Sequence, residues 1–169
     1  MATNALRKSE SFQTGERAES VFERVAKKGH FKVRKANRDQ NINQHIDFFI
    51  SCYHFNFSVD VKARKKISRG DSEVNDAWTW IEFKNVRGRP GWLYGKADYI
   101  AFEREFDFLL VNRCKLIEFC EDKIDLENIV PSTHMAEYAA YQRKGRKDLI
   151  SRVCMDDINK LEGNIILKK

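Results

Sequence analysis

At 169 residues, 42% of them hydrophobic and 33% charged, the chain has the make-up of one folded domain, not of a disordered or fibrous polymer. No stretch approaches the ~20 consecutive apolar residues that a bilayer-spanning helix needs. Residues Met1 to Lys8 lack an apolar signal core, so an intracellular, cytoplasmic protein with no membrane partner is expected. The net charge of +6 favours a polyanionic partner without identifying one.

Residues 1–13 are polar and aperiodic and read as a loose arm; a single domain is expected over 14–169. From Thr14, a candidate N-cap, Ala18, Val21, Phe22, Val25 and Ala26 recur at helical spacing, and Gly29 ends the run. Glu19 lies at the edge of that apolar stripe, better placed to face a site than Glu16 or Glu23, although on geometry alone a solvated flank is the plainer reading. Phe31 to Ala36 alternates and reads as a strand, and Asn37 to Gln44 as a polar loop.

A hairpin follows, with its turn at Tyr53 to Asn56. In its first strand Asp47 shares a face with His45, while Ile46, Phe48 and Ile50 point the other way. In its second strand Phe55, Phe57, Val59, Val61 and Ala63 form one face, leaving Asp60 and Lys62 together on the other. Trp78 to Asn85 is strand-like, Val86 to Gly91 is a turn, Gly91 to Phe102 leads into another strand, and further strands are expected at Phe106 to Asn112 and Leu149 to Met155. Leu116, Ile117, Phe119 and Cys120 suit a short helix; Ile129 to Ala139 stays ambiguous. Asp156 to Leu161 reads as a helical turn and Asn164 to Lys169 as a closing segment. The order of elements predicts a mixed α/β (α+β) fold. Cys52, Cys114, Cys120 and Cys154 are scattered, with no C-x-x-C, and are expected to be reduced packing residues.

Hydrolysing a phosphodiester requires neutralised phosphate charge and a hydroxide at neutral pH, and carboxylates holding Mg²⁺ (or Mn²⁺) supply both. Asp47 and Asp60 are the candidate ligands, with the Val61 carbonyl a third; Lys62, on the same face, would position water or stabilise developing charge. The alternative is a hairpin whose polar face meets water. Against it, Asp47 sits among Ile46, Phe48 and Phe49, where an unpaired charge is costly.

Asp47 followed by Asp60-Val61-Lys62 resembles the motif of the PD-(D/E)XK nuclease superfamily. Residues 14–66 are similar in layout to archaeal Holliday-junction resolvases, with Gly29-His30-Phe31-Lys32-Val33-Arg34 in the place of their G-x-F-x-V-x-R strand. His45-Ile46 stands where a proline often precedes the first aspartate. Beyond residue 66 the likeness fades, although the stretches around Trp80 and Trp92 look like those of small phage-encoded members. The resemblance implies a restriction-endonuclease-like mixed central sheet flanked by helices. It places Glu19 as the helix acid completing the metal site, and Mg²⁺-dependent DNA cleavage, in some relatives by homodimers, as the activity.

The motif also occurs at Glu82-Phe83-Lys84 and at Glu121-Asp122-Lys123, the latter in a predicted helix. Asp60 with Glu82 and Lys84 is therefore a rival set. Arg64-Lys65-Lys66 and the turn carrying Arg143, Lys144, Arg146 and Lys147 suit phosphate contacts, against the plainer reading of solvated basic turns. Trp92 and Tyr94 suit either base stacking or core packing. A DNA nuclease is the first expectation; a non-catalytic nucleic-acid-binding or host-interaction protein on the same fold is the alternative.

Overall fold

The computed structural model describes the backbone of residues 4–68 and 70–169 and the side chains of 12–68 and 70–169. Helix α1 runs Asn4–Lys28, so residues 4–13, expected as a loose arm, are helical, and the rest of that arm lies outside the described residues. β1 (Lys32–Lys35), β2 (Phe48–Cys52) and β3 (Phe55–Lys62) form an antiparallel meander. Between β1 and β2 the segment expected as a loop contains α2 (Arg38–Gln44). Its N-cap is a reciprocal box: Asn37 Oδ1 accepts from the Gln40 amide, and Gln40 Oε1 accepts from the Asn37 amide.

β4 (Trp78–Lys84) is followed by β5 (Tyr99–Glu103), β6 (Asp107–Asn112), α3 (Arg113–Lys123) and β7 (Asp125–Val130). β8 (Ala139–Tyr141), β9 (Leu149–Cys154), α4 (Met155–Asn159) and β10 (Ile165–Lys168) complete the chain. The ambiguous stretch thus holds the end of β7, a short 3₁₀ turn at Thr133–Met135 and the start of β8. The fold is a mixed α+β domain, as expected, but its strands build two sheets and not one. The six-stranded sheet has the order β1-β2-β3-β5-β6-β10 and the four-stranded sheet β4-β9-β8-β7. β3 and β5 run parallel, so the chain leaves the first sheet after β3, lays β4 into the second, and returns.

Period-two alternation in β3 explains the layering. Val59 and Val61 face α1, where they join Ala18, Phe22, Val25, Phe48, Ile50, Phe108 and Leu110 in one core. The opposite face of β5 and β6 (Ile100, Phe102, Leu109, Val111) packs on Ile81, Phe83 and Val153 of the second sheet, with Leu116 and Cys120 of α3 and Ile158 of α4. Strands β5 and β6 are covered on both sides, which is why their sequences read as apolar runs. Glu103, 5% exposed, ties the periphery together: it pairs with Arg17 of α1 at 2.5 Å and with Lys169 at 3.0 Å. All four cysteines are free thiols. Among the described residues no helix is long and apolar enough to cross a membrane.

Candidate active site

Asp47 stands immediately before β2, and Phe48 pairs with Val59, which brings Asp47 opposite Asp60 on the face turned away from α1. The Asp47 amide donates to the Val59 carbonyl at 2.8 Å. Its side chain is held from two sides: Asn41 Nδ2 donates to Oδ1 at 2.6 Å, and the Val61 amide donates to Oδ2 at 2.7 Å. Two residues on from Asp60, Lys62 Nζ donates to Asp60 Oδ1 at 2.7 Å. The same ammonium lies 5.0 Å from the centre of the Trp92 ring.

Asp60 is 3% exposed, and its second oxygen, Oδ2, is buried with no hydrogen-bond partner. Burial pushes its carboxyl up to about 7; Lys62 works against the shift and Asp47 adds to it. Glu19, half-buried on α1, is also raised to about 7, by burial first and then by the Asp47 carboxylate, with Lys35 and Lys62 opposing. The helix acid therefore lies within the field of Asp47 and Lys62. His45, the left-handed C-cap of α2, is lowered by burial and by Lys62.

Glu82 reaches the same place from the second sheet. Burial raises its carboxyl, while Lys62, Lys65 and a hydrogen bond from the Trp92 amide lower it. The two motif candidates thus adjoin one another: Glu82 lies within the field of Lys62, whereas Lys84 is exposed beyond a β-bulge. Gly91 permits this junction, since a Cβ there would fall 2.2 Å from the Glu82 carbonyl oxygen and 2.8 Å from its Cγ. Gly91→Ala is therefore expected to separate Trp92 from β4 at a cost of about 1–3 kcal/mol, read as a lower urea midpoint. An unchanged midpoint would show that the junction relaxes freely.

Among the described residues no three His, Cys, Asp or Glu side chains are arranged to hold a metal ion. The expected trio of Glu19, Asp47 and Asp60 does not form such a group; Asp47 lies opposite Asp60, and Glu19 is within the field of Asp47. The donors still suit a hard divalent cation: they are carboxylate oxygens, two of them face each other across a strand pair, and Asp60 Oδ2 has no other partner.

The other sequence candidates are dispersed. Arg64 is paired to Asp76 at 2.5 Å, while Lys65 and Lys66 are exposed. Arg143 is paired with the buried Asp148, whereas Lys144, Arg146 and Lys147 are exposed. Trp92 is 7% exposed and packs on Phe102, and the Tyr94 hydroxyl donates to Glu121 at 3.0 Å, so Trp92 belongs to the core. Asn41 escapes a reading of the sequence, although the Asn37–Gln40 spacing marks the helix that carries it. Comparison with protein-family models, with curated proteins and with solved structures finds no match for this chain.

Proposed function

We propose that the protein is a Mg²⁺- or Mn²⁺-dependent nuclease that hydrolyses phosphodiester bonds in DNA. The observation that carries this reading is the buried, unpartnered Oδ2 of Asp60, set across from Asp47 and tied through Oδ1 to Lys62 at 2.7 Å. A buried carboxylate oxygen without a donor is costly unless a cation or a proton completes it. Asp47 and Asp60 would hold the cation, with Glu19 and the Val61 carbonyl completing its surroundings. When bound, such an ion polarises a phosphoryl oxygen and lowers the pKa of a water.

The chain's own groups supply the rest. The Asn41 amide and the Val61 amide fix the Asp47 carboxylate, so its orientation does not depend on substrate. Lys62, held over Trp92, carries a positive charge that can move from Asp60 to an attacking water or a phosphate oxygen. The raised Glu19 carboxyl, at about 7, is able to take up or release a proton near neutral pH.

A second reading, a nucleic-acid-binding protein without catalysis, is favoured by the closed Asp60–Lys62 pair and by the lack of a ready three-ligand group among the described residues. Plasmid, linear, single-stranded and branched DNA incubated with Mg²⁺ or Mn²⁺ separate the two. Cleavage is expected for the wild type, with a loss of roughly 10²–10³-fold in both Asp47→Ala and Lys62→Ala. Binding without cleavage in any DNA form supports the second reading. Cleavage that survives both substitutions but disappears in Glu82→Ala moves the centre to β4.

A further inference from the structure

The turn after β4 (Val86-Arg87-Gly88-Arg89) and the turn between β8 and β9 (Gln142 to Lys147) are far apart in sequence but adjacent in space. β4 pairs with β9 through Glu82↔Ile150 and Lys84↔Leu149, which aligns their ends. The Lys147 amide donates to the Val86 carbonyl at 3.4 Å, and a Cβ on Gly88 would fall 3.3 Å from Lys147 Cβ, so the Lys147 stem lies against the tip of the first turn. Both tips use left-handed glycines, Gly88 at φ 80 and Gly145 at φ 73.

Arg87, Arg89, Lys144, Arg146 and Lys147 are all exposed, and none is ion-paired with a described residue. Neither turn contains an acid; the adjacent Asp148 is buried and already paired with Arg143. Five cations on two touching turns repel one another, with no ion pair among the described residues to offset them. Such a surface is complementary to a polyanion. Its one exposed large apolar side chain is Val86, too little for an interfacial membrane anchor.

The patch also has a direction. Gly91, two residues beyond the first turn, packs directly on the Glu82 backbone, and the next residue, Trp92, has its ring centre 5.0 Å from Lys62 Nζ, so the first turn leads towards Lys62. The strand path from Glu82 to Lys84 is about 7 Å at ~3.3 Å per residue, and the turn extends beyond it. We infer that the two glycine-tipped turns form one platform that grips the phosphate backbone of a nucleic-acid duplex a few base pairs from the Asp47–Asp60–Lys62 centre. This deepens the nuclease reading and rests on it for the position of the scissile bond.

The test uses the full chain in EDTA, so that no cleavage occurs, with a labelled 20-base-pair DNA duplex followed by anisotropy from about 50 to 300 mM KCl. Arg87→Ala/Arg89→Ala and Lys144→Ala/Arg146→Ala are compared with the wild type, after thermal melts show that each is folded. Each pair is expected to weaken binding at least tenfold at the lower salt. Each should also reduce the slope of log affinity against log salt by roughly 1–2, about 0.9 for each phosphate no longer neutralised. Unchanged slopes in both variants, or an effect confined to one turn, overturn the platform. So does undetectable duplex binding by the wild type, with or without binding to phosphatidylserine vesicles. Reduced slopes beside a negative cleavage assay sink the nuclease reading alone, and cleavage with unchanged slopes sinks the platform alone.

Discussion

Asp60→Asn is expected to make the metal-free protein more stable at pH 8, by about 1–2 kcal/mol, while abolishing cleavage. The wild-type carboxylate is 3% exposed, with Oδ2 unpartnered and Asp47 across the strand pair. An amide of the same shape removes the buried charge and can donate to Asp47. The pH dependence fixes the sign. The Asp60 carboxyl is raised to about 7 in the folded protein, so between the ordinary aspartate value of ~3.9 and about 7 the folded state binds more protons than the unfolded one. Wild-type stability therefore falls as pH rises through that window and levels off above it. The advantage of Asp60→Asn should disappear below about pH 4 and be greatest above pH 7. Thermal melts in EDTA across this range measure it. Mg²⁺ should then stabilise the wild type but not the variant, by linkage to a bound ion. An Asn variant less stable than wild type at pH 8 would mean that the Lys62 pair outweighs the desolvation of the charge.

Phe22→Ala carries the largest expected loss of stability, about 3–5 kcal/mol. Phe22 is fully buried, and its ring lies 5.6 Å from that of Phe48 and 5.2 Å, edge-on, from that of Phe108. Truncation leaves a cavity between α1 and the sheet that cannot collapse without shifting the helix. Glu19 is one turn away on that helix, so cleavage should weaken along with the urea midpoint. A loss below about 1 kcal/mol would show that α1 is not anchored by this ring.

How far the sequence reveals this arrangement depends on the range of the forces involved. Alternation in Phe55 to Arg64 is local, and it suffices to put Asp60 and Lys62 on one face and Val59 and Val61 on the other. The position of Glu19 at the edge of its apolar stripe is equally local. The division into two sheets is not: whether β4 pairs with β3 or with β9 is decided by packing of Ile81 and Phe83 against strands many residues away. For that reason Glu82-Phe83-Lys84 reads as a rival to Asp60-Val61-Lys62, although in the fold Glu82 and Asp60 both lie within the field of Lys62. The short helix α2 lacks buried residues, so it gives no apolar period, and its capping box alone marks it. Trp92 cannot be assigned to core or surface from its neighbours, because its burial depends on Phe102 and on the approach that Gly91 allows.

The return of the chain to β5 also shapes how the molecule is made. β3 finds its parallel neighbour only after residues 63–98 have been laid down, so until then the N-terminal meander has an open border at β3 in addition to the one β1 keeps. The β3 border carries Asp60 and Lys62, whose opposite charges resist intermolecular strand addition while the remainder is synthesised.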